Sequence, residues 1–291
     1  MKRFLLFEAG STKTTLSIVS DMNTKKVETF MMSGFNPNRP DERFLDEVYF
    51  LDLEKGDRVV FYGSGLGDSS NGNAHPGKDK LADFFLSKGI TEIEIENDML
   101  GAARALFYRE SGLFVIMGTG SVSGFYSGDD IVDRQGGHGY LIDDIGGGYE
   151  LGKRIVSAWL NDRLEPKINS AIEDHFQVAK DGFTSKYYQD FKDDPKIALA
   201  EMAKVVEVCS PFKEEIILSN IIANYFDRFI EDTVKPLADE HAINHFGAVG
   251  SIAHHFRTEM ETAAKNHRLT VKDVLQYPSE KLIDYHLNYI S

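Results

Sequence analysis

The stretch with the clearest chemical potential opens the chain. Residues 4–15 read FLLFEAGSTKTT: four apolar positions end at Glu8, and the chain then passes through Ala9, Gly10, Ser11 and Thr12 to Lys13. Small residues let backbone N–H groups approach an anion, the hydroxyls of Ser11, Thr12 and Thr14 add donors, and Lys13 adds positive charge. Glu8, at the strand end, is placed to hold Mg²⁺ directly or through water. The following TTLSIVSD continues as a second strand, so the order is strand, turn, strand. A Walker loop (GxxxxGK[ST]) and a Rossmann turn (GxGxxG) would each run into a helix, and neither pattern is present. Taken alone, the stretch also fits an ordinary β-hairpin.

Other stretches supply matching parts. TEIEIENDMLGAARAL, residues 91–106, alternates as a strand to Asn97 and Asp98 and passes directly into a helical pattern. A carboxylate between the carboxyl end of a strand and a helix lies where open α/β sheets bind ligands, so Asp98 is a site candidate, with helix N-cap as its other reading. Residues 113–137 repeat the opening: an apolar strand, a turn through Gly118, Thr119, Gly120 and Ser121, a strand, a turn at SGDD and a third strand. Two such turns at equivalent places indicate duplication of a βββαβα unit, which would set two phosphate turns facing each other across a cleft. Further on, Asp143 and Asp144 precede three glycines and a helix from about Tyr149. HFGAVGSIAHH carries a turn at Gly250 and Ser251 that can receive an adenosine face or cap a helix.

The elements that must position these residues follow from periodicity. Residues 4–8, 15–20 and 25–33 read as a three-stranded meander, followed by the loop GFNPNRPDE and a helical pattern through Phe44, Val48, Leu51 and Leu53. RVVFYGSGLG is a buried strand and KDKLADFFLSKG an amphipathic helix ending on Gly89. From Tyr149 to about Glu240 the pattern is mostly helical, with apolar stripes for core packing. The end reads as a strand, a proline turn and a helix turning Leu282, Ile283 and Leu287 inward.

Composition bounds the function. The 291 residues suit two domains, and 42% hydrophobic with 27% charged residues is ordinary for a globular chain. A net charge of −14 argues against nucleic acid or an anionic membrane as partner, so any phosphate must be held locally. Cys209 is the single cysteine, which excludes an internal disulfide and a cysteine-ligated Fe–S cluster within one chain. The first apolar run stops at Glu8 and no segment has the length of a membrane span, so a cytoplasmic location is expected. His241 and His245 have the spacing of a helical zinc pair, but HAINH lacks the Glu of HExxH. The acidic run 190–194 reads as a solvated loop, and Phe183, Tyr187, Tyr188 and Phe191 as a packed helix face or subunit contact. His254 and His255 fall on a helix with one of them facing solvent.

The order EAGSTKT, END, GTGS, GxGxxxxDxGGG and GAVGS, with the duplicated meander, resembles the actin-like ATPase superfamily of sugar kinases, actin and Hsp70. Within it, the chain is most similar to the N-acetylglucosamine kinase group that includes the BadF/BadG/BcrA/BcrD-type ATPases. The resemblance implies an α/β fold of two duplicated ribonuclease H-like domains with an interdomain nucleotide cleft. Residues 1–110 would form the first domain, joined by the helix 278–291, and residues 111–277 the second. It implies ATP and Mg²⁺ as cofactors, with Gly10, Ser11, Thr12 and Lys13 in the first phosphate loop and Gly118, Thr119, Gly120 and Ser121 in the second. Glu8 would position Mg²⁺, Asp98 would accept the proton of the attacking sugar hydroxyl, and Asn36 and Asp144 would hydrogen-bond the sugar. Gly250 and Ser251 would border the adenosine, and a homodimer is the family's expected assembly. Three positions depart from the family pattern: Val122 stands where GTGSN has Asn, and Ile145 where GDEGS has Glu, each replacing a hydrogen-bonding side chain by an apolar one, and Ala9 stands in place of Gly, narrowing the backbone's freedom in the first turn. A non-catalytic nucleotide- or sugar-binding module, and an ATPase activator of a radical enzyme, are the other functions known or conceivable for such a chain. The activator would need a cysteine-ligated cluster that Cys209 alone does not provide.

Overall fold

The computed structural model describes residues 3–10, 13–21, 26–35, 37, 42–67 and 76–288. The chain divides into two compact units: Met1–Glu110 with Ser127–Ile131 and Pro278–Ser291, and Ser111–Tyr126 with Val132–Tyr277.

The first unit runs β1 (Phe4–Ala9), β2 (Lys13–Asp21), β3 (Lys26–Ser33), α1 (Glu42–Tyr49), β4 (Arg58–Gly63), α2 (Pro76–Ser87), β5 (Glu92–Asn97) and α3 (Asp98–Phe107). Its sheet has the order β3-β2-β1-β4-β5, with β2 antiparallel to β1 and β3, and with β1, β4 and β5 parallel. Alternation along β1 sends Leu5 and Phe7 to one face, where they meet Leu16, Val59, Phe61, Phe44 and Phe85 in one core. The Phe7 ring lies 5.7 Å from both Phe61 and Phe85, and each such buried ring contributes about 1.5–3 kcal/mol. The other face carries Phe4, Leu6, Val60 and Tyr62, all buried. Gly101 matters here because a Cβ would come within 2.9 Å of the Tyr62 ring, so its absence lets α3 lie directly on β4. The last helix of the chain, α12 (Ser279–Asn288), closes the same unit.

The second unit runs β6 (Gly112–Met117), β7 (Ser121–Tyr126), β8 (Ile131–Gly136), α4 (Gly148–Leu160), α5 (Pro166–Phe176), α6 (Lys180–Asp193), α7 (Pro195–Cys209), α8 (Ile216–Phe229), a π-helical turn (Ile230–Val234) and α9 (Lys235–Glu240). It continues through β9 (His245–Val249), α10 (Ser251–His255), α11 (Arg257–Asn266) and β10 (Thr270–Leu275), after which α12 (Ser279–Asn288) belongs to the first unit. The sheet order β8-β7-β6-β9-β10 repeats that of the first unit strand for strand. The duplicated α/β architecture expected from the repeated meander is thus present. Phe183 packs edge to face with both Trp159 and Phe176 in the helical part, and a Cβ on Gly152 would fall 2.0 Å from the Met202 carbonyl oxygen, which is how closely α4 meets α7.

Several local expectations are corrected. The helix after the Asn/Pro loop ends at Tyr49, so Leu51 and Leu53 lie beyond it. The acidic run is not a loop: Asp190 and Asp193 end α6, where Lys186 pairs with Asp190 and Gln189 with Asp193 one turn on. Tyr188 is 69% exposed and meets the aromatic set only at its edge, in a T-shaped contact with Tyr187 at 6.4 Å between ring centroids. His241 ends α9 and His245 begins β9, so the pair does not share a helix; His241 stacks on Phe125 and faces Asp133 at 3.2 Å. His254 and His255 are both exposed.

Candidate functional site

In the first unit the parallel register aligns Ala9 with Gly63 and Gly63 with Asn97. Glu8 and Asp98 therefore lie at the carboxyl edge of the same three strands, with β1 and β5 two strand spacings, about 10 Å, apart. The turn after β1 is closed by Gly10, whose N–H donates to the Lys13 carbonyl at 2.9 Å, and Gly10 in turn accepts from Phe35 N–H at 3.2 Å. Ala9 accepts from Ser64 N–H at 2.9 Å, tying the turn to the end of β4. Ser11, Thr12 and Asn36 lie outside the described residues.

Asp98 is half-buried and is the first residue of α3. The helix is capped by Asn97 instead, whose Oδ1 accepts from Leu100 N–H at 2.7 Å while its Nδ2 donates to the Gly67 carbonyl at 2.9 Å. The capping role that sequence alone allowed Asp98 is thus filled by its neighbour. Glu8 sits between Thr15 and Tyr62 in the sheet and accepts a hydrogen bond from Ser279 Oγ, at the start of α12. Burial pushes its carboxyl up to about 7, against a smaller lowering by the Ser279 hydroxyl.

In the second unit the equivalent turn is closed by backbone contacts. Each of its first three carbonyls is engaged: Gly118 O accepts from Gly148 N–H at 2.8 Å, Thr119 O from Tyr149 N–H at 3.1 Å, and Gly120 O from Gly118 N–H at 3.0 Å. The first N–H groups of α4, orphaned in any helix, find their acceptors in this turn, and its N-cap Gly147 supplies no side chain. The contact is so close that a Cβ on Gly147 would sit 2.5 Å from the Thr119 carbonyl oxygen. Conversely, the N–H groups of Thr119 and Gly120 have no acceptor among the described residues, and both residues are half-exposed.

Ser121 faces its own loop: Oγ accepts from Gly146 N–H at 2.9 Å. Asp144 accepts from the backbone N–H groups of Ser121 and Gly139; burial, aided by neighbouring Asp143, nevertheless pushes its carboxyl up to about 6. A Cβ on Gly120 would come within 2.6 Å of its Oδ2, so a larger residue in the turn would have to displace the Asp144 carboxyl. Gly250 closes the third side with φ +121°, and a Cβ there would meet the Met117 carbonyl oxygen at 2.3 Å. Ser251 begins α10 and is exposed. The structure thus brings together the GTGS, DDIGGG and GAVGS stretches of one unit. Val122 packs beside Gly137, where a Cβ would meet it at 3.1 Å, and Ile145 packs against the core.

Within the second unit, the two half-exposed N–H groups without an acceptor among the described residues suit anionic oxygens such as a phosphate's; within the first, the Glu8 carboxyl at a strand end suits a cation that keeps most of its water. Among the described residues no cluster of three or more His, Cys, Asp or Glu is placed to hold a metal. Cys209 is buried at 1% exposure, its thiol pushed up to about 12 by desolvation. No helix among the described residues is long and apolar enough to cross a membrane.

Sequence reasoning missed two features. One is the docking of the α4 N-terminus onto the turn carbonyls, for which the three consecutive glycines were the available signal. The other is Ser279 on Glu8, 271 residues away, for which there was none.

No protein-family model matches the chain, and no curated protein sequence does. Among solved structures, it is similar over 100% of both chains to a Porphyromonas gingivalis protein provisionally assigned as an N-acetylglucosamine kinase, with 25% identity and a TM-score of 0.82. It is also similar to a Chromobacterium violaceum protein with the same provisional assignment, at 12% identity over 98% of this chain and 99% of that one, with a TM-score of 0.69. A provisionally assigned sugar kinase from Cytophaga hutchinsonii matches 99% of both chains at 14% identity and a TM-score of 0.56. The fold is that of the two-domain actin-like ATPases and sugar kinases.

Proposed function

We propose that this chain transfers a phosphoryl group from ATP, with Mg²⁺, to a hydroxyl of an amino sugar, N-acetylglucosamine or a related N-acetylated sugar. The observation that carries the reading is the duplicated sheet with a small-residue turn after the first strand of each copy, one of them presenting two N–H groups that have no acceptor among the described residues. The full-length likeness to the P. gingivalis protein supports it.

In this reading the N–H groups of Thr119 and Gly120 bind phosphate oxygens in the second unit, and Lys13 and the turn at Gly10 do so in the first. Glu8, once ionised, faces the cation. Mg·ATP, when bound, supplies the phosphoryl group and neutralises its charge. Asp98 takes the proton from the sugar hydroxyl, a role that Asn97 leaves open by capping α3 itself. Asn36 and Asp144 orient the sugar, and Gly250 and Ser251 border the adenosine.

A coupled ADP-release assay tests this with N-acetylglucosamine, N-acetylmuramic acid, N-acetylmannosamine, glucosamine and glucose. One N-acetylated sugar is expected to stimulate release, and Asp98→Asn to lower kcat about 10²- to 10⁴-fold with ATP binding retained. Full turnover by the mutant would remove Asp98 from the mechanism. The rival reading, a nucleotide- or sugar-binding module without turnover, is favoured by Val122 and Ile145, apolar residues beside the turn that offer a sugar no hydrogen bond. ATP raising the melting temperature with no sugar-dependent ADP release would select it.

A further inference from the structure

The helix that closes the first unit comes from the far end of the chain and lies along β1 with matched spacing. At one end Ser279 Oγ donates to Glu8; at the other the His286 ring sits 5.5 Å from the Phe4 ring. Glu8 and Phe4 are four residues apart on one strand face, about 13 Å, and Ser279 and His286 are seven apart on one helix face, about 10 Å. The helix and strand therefore run antiparallel in register, with the buried Leu282 and Ile283 between the two contacts.

The far end is locked by side chains from three other elements. Tyr62 Oη lies 2.8 Å from His286 Nε2 and accepts from Arg104 Nη1, also at 2.8 Å. Arg104 pairs with Glu94 Oε1 at 2.5 Å, and Arg58 approaches His286 Nδ1 at 3.4 Å. β4, β5 and α3 thus all hold one residue of α12.

We infer that Ser279 is a positioning residue for Glu8: α12, locked through His286, carries a hydroxyl that fixes one carboxylate oxygen and leaves the other for the cation. Only the assignment of Glu8 to the cation rests on the kinase reading. A hydroxyl that holds a metal-facing carboxylate in one rotamer acts on metal-dependent binding and not on the nucleotide itself; removing such a partner costs about 10- to 100-fold in metal affinity.

Calorimetry on the full chain separates these effects, with Mg·ADP and, in EDTA, metal-free ADP as the probes. Ser279→Ala is expected to weaken Mg·ADP about tenfold or more and to leave metal-free ADP unchanged, with Ser279→Thr, which keeps the hydroxyl, restoring the parent value. Equal weakening of both probes would mean a structural role and overturn the inference, as would a Ser279→Ala chain that binds Mg·ADP like the parent. A parent chain that binds neither probe would instead sink the kinase reading, and this inference with it.

Discussion

His286 gives the first unit a measurable acid sensitivity. Its side chain is buried, with 1% of the residue's surface exposed, and Arg58 and Arg104 face it from β4 and α3. Glu94 Oε2 is 3.8 Å from Nδ1, but that carboxylate already serves Arg104. Burial first, then the two guanidinium charges, push the imidazole down to about 3. In the unfolded chain the ring takes up a proton below about 6.5. Between these values the unfolded state holds the extra proton. The contribution of His286 to stability is therefore complete above about pH 6.5 and falls with each unit of acidification toward 3. At pH 5 the loss is about 1.5 pH units at 1.36 kcal/mol each, or about 2 kcal/mol.

Two carboxyls slope the other way. Glu8 and Asp144 are raised to about 7 and about 6, so the folded chain keeps their protons where the unfolded chain has lost them, and their terms favour the fold on acidification. The total pH profile mixes these signs, so the measurement is a difference. Urea unfolding of the parent and of His286→Gln at pH 7.5 and pH 5 is expected to show the stability gap, parent minus variant, narrowing by about 2 kcal/mol. A gap that stays constant would refute the reasoning, and so would a His286 ring signal titrating near 6.5 in the folded protein.

Two further outcomes follow from packing. Gly147→Ala would place a Cβ 2.5 Å from the Thr119 carbonyl oxygen and 2.7 Å from Gly120 Cα, atoms of the backbone that cannot rotate away. It is expected to cost about 1–3 kcal/mol by thermal denaturation and to weaken ADP binding, and a variant binding ADP normally would separate the α4 contact from the turn's function. Cys209, buried with its thiol pushed up to about 12, is expected to resist a thiol reagent at pH 8 until the chain is unfolded; labelling of the native protein within minutes would refute its burial.

What could be read beforehand was whatever a contiguous stretch encodes. The meander, its repeat and the turns after β1, β6 and β9 all announce themselves by apolar runs ending in Gly, Ser and Thr, and the sheets repeat their order as that pattern required. The same local reading stalled where two neighbours were chemically equivalent. Asn97 and Asp98 can both cap a helix, and the choice depends on which residue the strand register leaves as the last of β5. It failed where a run of one composition sat in the opposite context, since Asp190 and Asp193 are helical because Lys186 and Gln189 reach them and Phe183 anchors the helix to Trp159.

The contacts on Glu8 and His286 were beyond any local reading, because each joins residues more than 220 positions apart. Ser279 and His286 look like ordinary members of an amphipathic closing helix, and Tyr62 and Arg104 like a strand aromatic and a helix cation. Only the fold places them on one face of β1. The carboxyl at the end of β1 is thereby held by the last helix of the chain. Loosening α12 should therefore disturb the Glu8 edge well before it disturbs the Phe7, Phe44 and Phe61 core on the opposite face, which α12 does not touch.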